Sequence, residues 1–494
     1  MRCLNVYRLI SASLLCAQLS ACMPQPETVV VEQPAAGDEN TELIKEATPL
    51  PRREQYFPGQ LVDYIARSGD TLPGLAAHFN TTIKEIHQAN PVIPDDASTM
   101  PQGFPMKIPI YYQSLWGTPF QILPDSLFVY GPAQKDFDPV NYVKNQPGWF
   151  KNYTFYTSGA NRTGGEIINL LAQNYSISPR LLLALIEYQA GGLSQPVSQK
   201  DIDEYPLGFR DFTHKGLFLQ LSWAANYLNN GYYDWRTGNL KTFDLQNGRL
   251  ERPDPWQNAA TVGLQYYFAR VLNQNEYEQA ISADGFFQTY KALFGDPWIG
   301  ETINIPGSLK QPKMHFPFPT GKTWTYTGGP HSPYGNDSPR AALDFAPPSV
   351  IGGCVETTEI VVAVADGIVS RTDTGIAVLD LDGDGDERTG WVVFYLHLAT
   401  ADMVKTGTRV KAGDRMGRPS CEGGHSTGTH IHIARKYNGE WIPADGPIPF
   451  DLEGWLAGNG SEVYQGTLTR YSRTVNACEC SDSASQITSE VTCP

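Results

Sequence analysis

Hydrophobic and polar positions follow three regimes along this chain. Between 63 and 110, Asp63-Tyr64-Ile65-Ala66 reads as a short strand, and Ser68-Gly69-Asp70-Thr71-Leu72 as a turn in which Asp70 or Thr71 can cap a helix. Leu75, Ala76 and Phe79 then recur at helical spacing, as do Ile83, Ile86 and Ala89. Asn90-Pro91 stops the second helix, and Met106-Lys107-Ile108-Pro109 closes as a strand. From 160 to 300 the period becomes helical. Ser178-Pro179 pairs a cap with a first-turn proline ahead of the apolar run Leu181–Ile186, Gly191-Gly192 stops it, and Trp223–Leu228 and Ala259–Val271 continue the pattern. Beyond a proline-rich joint at 306–320, strand-like runs take over at 359–365, 376–379, 391–398 and 429–434, punctuated by glycines. The pattern predicts a multidomain α+β chain: a small βααβ module, a mainly helical middle domain and a C-terminal antiparallel β domain over 312–460. Residues 111–160 carry no assignable element, 23–58 read as a flexible linker, and 461–494 as a cysteine-containing polar tail.

Composition narrows the class. At roughly 150 residues per domain, 494 residues predict about three domains. A net charge of −15 lacks the basic excess that nucleic-acid binding needs, so no nucleic-acid partner is expected. Arg2 and Arg8 precede an apolar run, Leu9 to Leu19, too short to span a bilayer. It ends in Leu19-Ser20-Ala21-Cys22, which resembles the lipobox of bacterial lipoproteins. That resemblance implies a signal peptide over 1–22, lipidation of Cys22 and a cell-envelope protein held to a membrane by a lipid anchor. Export permits disulfides among Cys354, Cys421, Cys478, Cys480 and Cys493, an odd set that leaves one thiol over.

Five of the nine histidines fall between 331 and 432. On a strand, His430 and His432 of His430-Ile431-His432 share one face while Ile431 and Ile433 take the other. In Tyr395-Leu396-His397-Leu398, a strand reading points His397 away from its apolar neighbours, toward the same groove. Several imidazoles on convergent faces suggest a site rather than packing.

Three stretches resemble known families. "YIARSGDTL", "AAHFNTTIKEIHQANP" and "GFPMKIPI" together resemble a LysM domain, which implies binding of N-acetylglucosamine-containing glycan through Gly69, Asp70, Thr71, Asn90 and Pro91. "SPRLLLALIEYQAGGLS" resembles the helix that carries the catalytic acid of lysozyme-like transglycosylases. Gln189 stands at the acid's position, and an amide cannot protonate a glycosidic oxygen. Glu187 lies about 200° around the helix from it, so the middle domain reads as a lysozyme-like remnant without catalysis. Residues 312–445 resemble zinc metallo-endopeptidases of the lysostaphin and staphylolysin type through Gly329-Pro330-His331-Ser332, Ala342-Leu343-Asp344-Phe345, "VVAVADGIVS", "YLHL", "GTRVKAGDRMG" and "STGTHIHIA". The resemblance implies that His331, Asp344 and His432 bind Zn²⁺ and that His430 and His397 are the catalytic pair. Arg340 stands where lysostaphin-like members carry the first ligand, four residues before the aspartate. His331, 13 residues before Asp344, fits the staphylolysin-like spacing, with Asp337 and His315 as alternatives.

The implied chemistry is coherent. Two neutral imidazoles and one carboxylate leave a net positive zinc with an open position, and histidine can act as general base. His430 is expected as the base and His397 as its partner, with the two roles exchangeable. Two further features are open. Asp380, Asp382 and Asp384 imitate the start of a calcium loop whose twelfth position is Trp391, so Ca²⁺ and a solvated acidic hairpin both remain. Cys354 and Cys421 can form a bridge that pins the loop before the histidine strand. The expected function is zinc-dependent hydrolysis of peptide bonds in peptidoglycan, with LysM holding the wall. The alternatives are an inactive envelope protein that binds peptidoglycan and activates or scaffolds another wall hydrolase, and a dual enzyme that also cuts glycan.

Overall fold

In the computed structural model, residues 55–112, 117–198, 204–349, 351–480 and 482–490 are described. All of them belong to one compact unit, Pro49–Pro494. The signal segment, Cys22, most of the linker and Cys493 lie outside the described residues. No helix among the described residues is long and apolar enough to cross a membrane.

The N-terminal module runs strand, helix, helix, strand. β1 (Gln60–Ile65) pairs antiparallel with β2 (Pro105–Ile110), and α1 (Leu72–His78) and α2 (Ile83–Ala89) lie between them in sequence. Of the two residues able to cap α1, Thr71 does so by accepting the Gly74 N–H. Asp70 is used elsewhere: it accepts from the Tyr64 hydroxyl and the Arg67 N–H, each at 2.7 Å. A capping box of Thr82 and Glu85 starts α2.

The middle domain contains α3 (Pro139–Lys144), α4 (Gly164–Tyr175), α5 (Pro179–Ala190), α6 (Leu217–Thr237), α7 (Ala259–Val271), α8 (Gln274–Ala280) and α9 (Phe286–Phe294). It begins well before residue 160, because Ile122, Leu123, Phe128 and Val129 are wholly buried in its core. These residues sit in short turns with no sustained period, which is why the pattern alone did not place them.

The C-terminal domain is built on one antiparallel sheet. Its strands are β3 (Thr323–His331), β4 (Ala342–Ala346), β5 (Gly367–Asp373), β6 (Ile376–Asp380), β7 (Trp391–Leu396), β8 (Arg409–Val410), β9 (Ile431–Tyr437) and β10 (Gln486–Thr488). They lie in the order β8-β5-β6-β7-β9-β4-β3-β10, with Glu440–Trp441 paired onto β9. The polar-tail expectation for 461–494 does not hold. Thr467–Arg470 and Arg473–Asn476 complete a four-stranded sheet, and β10 closes the edge of the main sheet. Leu468, Val475 and Ile487 are the buried anchors, too sparse among polar residues to signal strands. Cys478 is bonded to Cys480.

Both faces of the main sheet are covered. Ala342, Ile376, Val378, Val392, Phe394, Leu396 and Ala434 share a core with the helices. Leu343, Phe345, Ala377, Leu379, Val393, Tyr395, Ile431 and Ile433 pack on the other side against Phe316, Phe318, Trp324 and Val361. Continuous apolar runs such as Ile376–Leu379 follow from this double burial. By strand alternation, Asp344 and His432 project from the face that the helices cover.

Buried charges tie the parts together. The Arg236 guanidinium, at the end of α6, lies 2.9 Å from Glu440 of the β domain, 3.3 Å from Asp125 of the helical domain and 4.0 Å from Asp70 of the module. Glu387 is bonded to Arg371 (2.6 Å) and Lys436 (2.8 Å); Arg371 also reaches Asn174, at the end of α4. Burial opposes ionisation of Glu387, but Arg371 and Lys436 overcome it and hold its pKa at about 2. Because this lies below the ordinary ~4.3, its stabilisation is complete above that value and is lost as pH falls toward 2. Glu387→Gln, which strands two buried cations, should cost about 3–5 kcal/mol at neutral pH. Urea midpoints at pH 7 and pH 3 should converge between wild type and variant at the lower pH.

Candidate metal centre and active site

The site is assembled by strand register. In β9, His432 lies directly opposite Asp344 of β4 on one side and Leu396 of β7 on the other. Asp344 also faces Gly328 of β3, and an irregularity after Gly328 brings His331, the last residue of β3, round to the same place. His331 Nε2 is 3.0 Å from Asp344 Oδ2, and His432 Nδ1 is 3.1 Å from Oδ1. One donor atom from each of the three side chains lies within 4.8 Å of the other two. The buried His331 Nε2 and Asp344 Oδ1 make no hydrogen bond despite this crowding. Lone pairs that converge without bonding one another are what a shared cation requires, so the donor set fits a metal ion.

Backbone carbonyls fix the imidazoles. A carbonyl only accepts, so each ring nitrogen facing one must carry the proton. His432 donates from Nε2 to the Pro333 carbonyl (3.0 Å), which leaves Nδ1 bare toward Asp344. His430 donates from Nδ1 to the Gly428 carbonyl (2.7 Å), and its bare Nε2 lies 3.7 Å from Asp344 Oδ2. His397 donates from Nδ1 to the Glu422 carbonyl (2.8 Å), and its ring lies 4.5 Å from that of His430. These tautomers match the needs of metal ligation and proton acceptance.

The strand reading of His397 is corrected in one respect. β7 ends at Leu396, and His397 has φ +70°, a left-handed conformation that costs about 1–3 kcal/mol for a residue with a side chain. The ring is therefore turned in by a backbone kink, not by strand alternation. Burial, then the neighbouring His430 and His432, lower the pKa of His397 to about 3. Burial also lowers that of His432, against the pull of Asp344. Burial opposes the charge of Asp344, but His331 and His430 outweigh it and keep its carboxyl well below the usual range.

All five residues singled out in the C-terminal domain thus meet at one place. The alternatives do not: His315 pairs with Glu453 (3.5 Å), and Asp337 accepts from Asn230 of α6 (3.3 Å). Tyr464, which nothing in its local sequence marks, stacks on His331 with ring centres 4.2 Å apart. The carbonyls of Pro333, Glu422 and Gly428 were equally invisible, since a backbone atom has no residue-type signature. Asp380, Asp382 and Asp384 do cluster. Asp380 accepts from the N–H groups of Asp382 and Gly385, Asp382 from that of Asp384, and Asp384 from that of Asp386. In the module, Asn90 is buried and bonded to Ile86 and Lys107, bracing α2 against β2. Its neighbour Pro91 is exposed, while Gly69, beside Asp70 and Thr71, is covered by Arg236. In α5, Gln189 is held by Leu207 and Tyr267, and Glu187 accepts from the N–H groups of Leu193 and Ser194.

The family model described as "Peptidase family M23" matches residues 352–443, and the one described as "LasA, N-terminal domain" matches residues 121–307. Protease LasA of Pseudomonas aeruginosa is 26% identical over 345 residues, covering 66% of this chain and 75% of its own length. The beta-lytic metalloendopeptidase of Lysobacter enzymogenes is 29% identical over 172 residues, covering 33% of this chain and 89% of its own. Among solved structures, the deep-sea M23 metalloprotease pseudoalterin is 24% identical, with a TM-score of 0.29, covering 34% of this chain and 96% of that one. The C-terminal part of the chain is similar to metallo-endopeptidases of the M23 family. The helical part is similar to the N-terminal domain of LasA.

Cys354 and Cys421 are bonded, as the sequence allowed, across 67 residues. Cys421 immediately precedes Glu422, whose carbonyl receives the His397 N–H. Replacing both cysteines by serine should lower kcat about tenfold or more by loosening this ring, with a smaller change in KM. Steady-state kinetics on a soluble peptide substrate would check the split.

Proposed function

We propose that this protein is a zinc-dependent endopeptidase that hydrolyses peptide bonds of bacterial peptidoglycan. The observation that carries the reading is the convergence of donor atoms from His331, Asp344 and His432 beside the bare Nε2 atoms of His430 and His397. Two imidazoles and a carboxylate suit Zn²⁺, whose role when bound is Lewis acidity toward the scissile carbonyl and toward water. The rest falls to the chain. With Nδ1–H given to Gly428, His430 Nε2 is placed to accept a proton from the attacking water. His397, with Nδ1–H given to Glu422, presents a lone pair as well; it can donate at Nε2 only after it has taken a proton. Either ring, once protonated, can deliver that proton to the leaving amine, so the two roles remain exchangeable.

The choice of peptidoglycan rests on the family and on the N-terminal module. Its βααβ order and the resemblance of its sequence to LysM support glycan recognition that would hold the wall near the peptidase. The lipobox-like segment ending at Cys22 supports a lipid-anchored protein of the cell envelope. The helical domain acts without glycosidase chemistry, since Gln189 occupies the acid's place and Glu187 is committed to two backbone amides.

Purified protein incubated with isolated cell walls should release new amino groups and no new reducing ends, and should contain one zinc per chain. His430→Ala should retain the metal and lose at least about 100-fold in rate; Asp344→Ala should lose both metal and activity. Wall turnover by metal-free Asp344→Ala at the wild-type rate would refute the assignment, and new reducing ends would restore the glycosidase alternative.

A further inference from the structure

Two module loops are engaged by the chain itself: Ser68–Asp70, which overlaps the Gly69, Asp70 and Thr71 that the LysM resemblance assigns to glycan, and Ser98–Pro101, which continues the loop opened by Asn90 and Pro91. Met100 N–H donates to the Asp70 carbonyl (2.8 Å), tying one loop to the other. Across both lies the joint 304–309, which leads from the helical domain to the β domain. Ser68 Oγ accepts from Asn304 N–H (3.0 Å) and Ile305 N–H (2.7 Å) and donates to the Ile305 carbonyl (3.2 Å). Thr99 Oγ1 donates to the Pro306 carbonyl (2.7 Å) and accepts from Leu309 N–H (3.0 Å). Ser98 Oγ donates to the Leu309 carbonyl (2.7 Å), and Ser308 N–H to the Thr99 carbonyl (2.9 Å). Ile305 and Leu309 are buried against Ile442 of the β domain. Gly307 passes so close that a Cβ there would stand 2.7–2.9 Å from atoms of Pro101. On the far side, the Arg236 guanidinium would stand 2.7 Å from a Cβ on Gly69.

We propose that residues 304–309 are a tethered ligand of the module and exclude an N-acetylated glycan until they leave. This rests on the reading of the module as a glycan binder. The chemistry is shared: the hydroxyls of Ser68, Ser98 and Thr99 are satisfied here by peptide N–H and C=O groups. The acetamido group of an N-acetylhexosamine is the same amide, so it competes for the same donors and acceptors. Docking of the module and capture of glycan are then mutually exclusive. Glycan that displaces the joint also withdraws Ile305 and Leu309 from Ile442, which couples wall contact to the packing of the joint on the β domain.

The test uses the full chain and two joint variants. Gly307→Val drives a side chain into Pro101, and Ile305→Ser with Leu309→Ser removes the apolar anchors without touching the module. Hydrogen exchange at 66–71 and 98–101 should rise in both variants. Calorimetric titration with the β-1,4-linked pentamer of N-acetylglucosamine should show about tenfold or more tighter binding to the variants than to wild type. Equal affinity for wild type and variants overturns the tethered ligand and leaves the glycan reading intact. Raised exchange without sugar binding overturns the glycan reading and the competition with it. Unchanged exchange in both variants shows that the joint does not cover the loops, and so overturns the proposal.

Discussion

The register of β9 between β4 and β7 is the constraint on which this molecule depends. It sets His432 opposite Asp344 and beside the end of β7, where the backbone kinks into His397. A slip of one residue would turn His432 to the opposite face and bring Ile433 in its place. The slip is opposed because Ile431 and Ile433 are buried on the other side of the sheet. Hydrophobic burial on one face therefore positions the candidate site residues on the other.

Backbone carbonyls then specify what each imidazole can do. Each of three histidines gives its single proton to the main chain and turns a lone pair inward. The loops bearing those carbonyls are themselves held. The Cys354–Cys421 bridge anchors the segment of Glu422. Pro333 is followed by residues that α6 grips: Asn336 N–H donates to Asn226, and Ser338 N–H donates to Asn230. The helical domain thus reaches the candidate metal centre through one short loop, from the sheet face that it also covers.

The seams between domains are polar as well as apolar. Glu387 with Arg371 and Lys436, and Arg236 with carboxylates from three parts of the chain, are buried and mutually dependent. Such groups contribute little net stability over apolar packing, but removing one partner is costly, so they favour one docked arrangement over others.

Much was legible in the sequence because it depends on local rules. Helical and strand periods marked the module, the long helices and the main strands. The spacing of histidines and Asp344, together with the family resemblance, named five residues that the fold brings to one place. Tertiary structure alone decided the rest. It folded 461–490 around three scattered anchors, drew the unpatterned 117–160 stretch into a helical core, stacked Tyr464 on His331 and laid the joint 304–309 across the module. The reason is physical: period and residue type record which face of an element seeks burial, whereas backbone carbonyls, isolated anchors and contacts between distant segments acquire their role only once the chain has closed on itself.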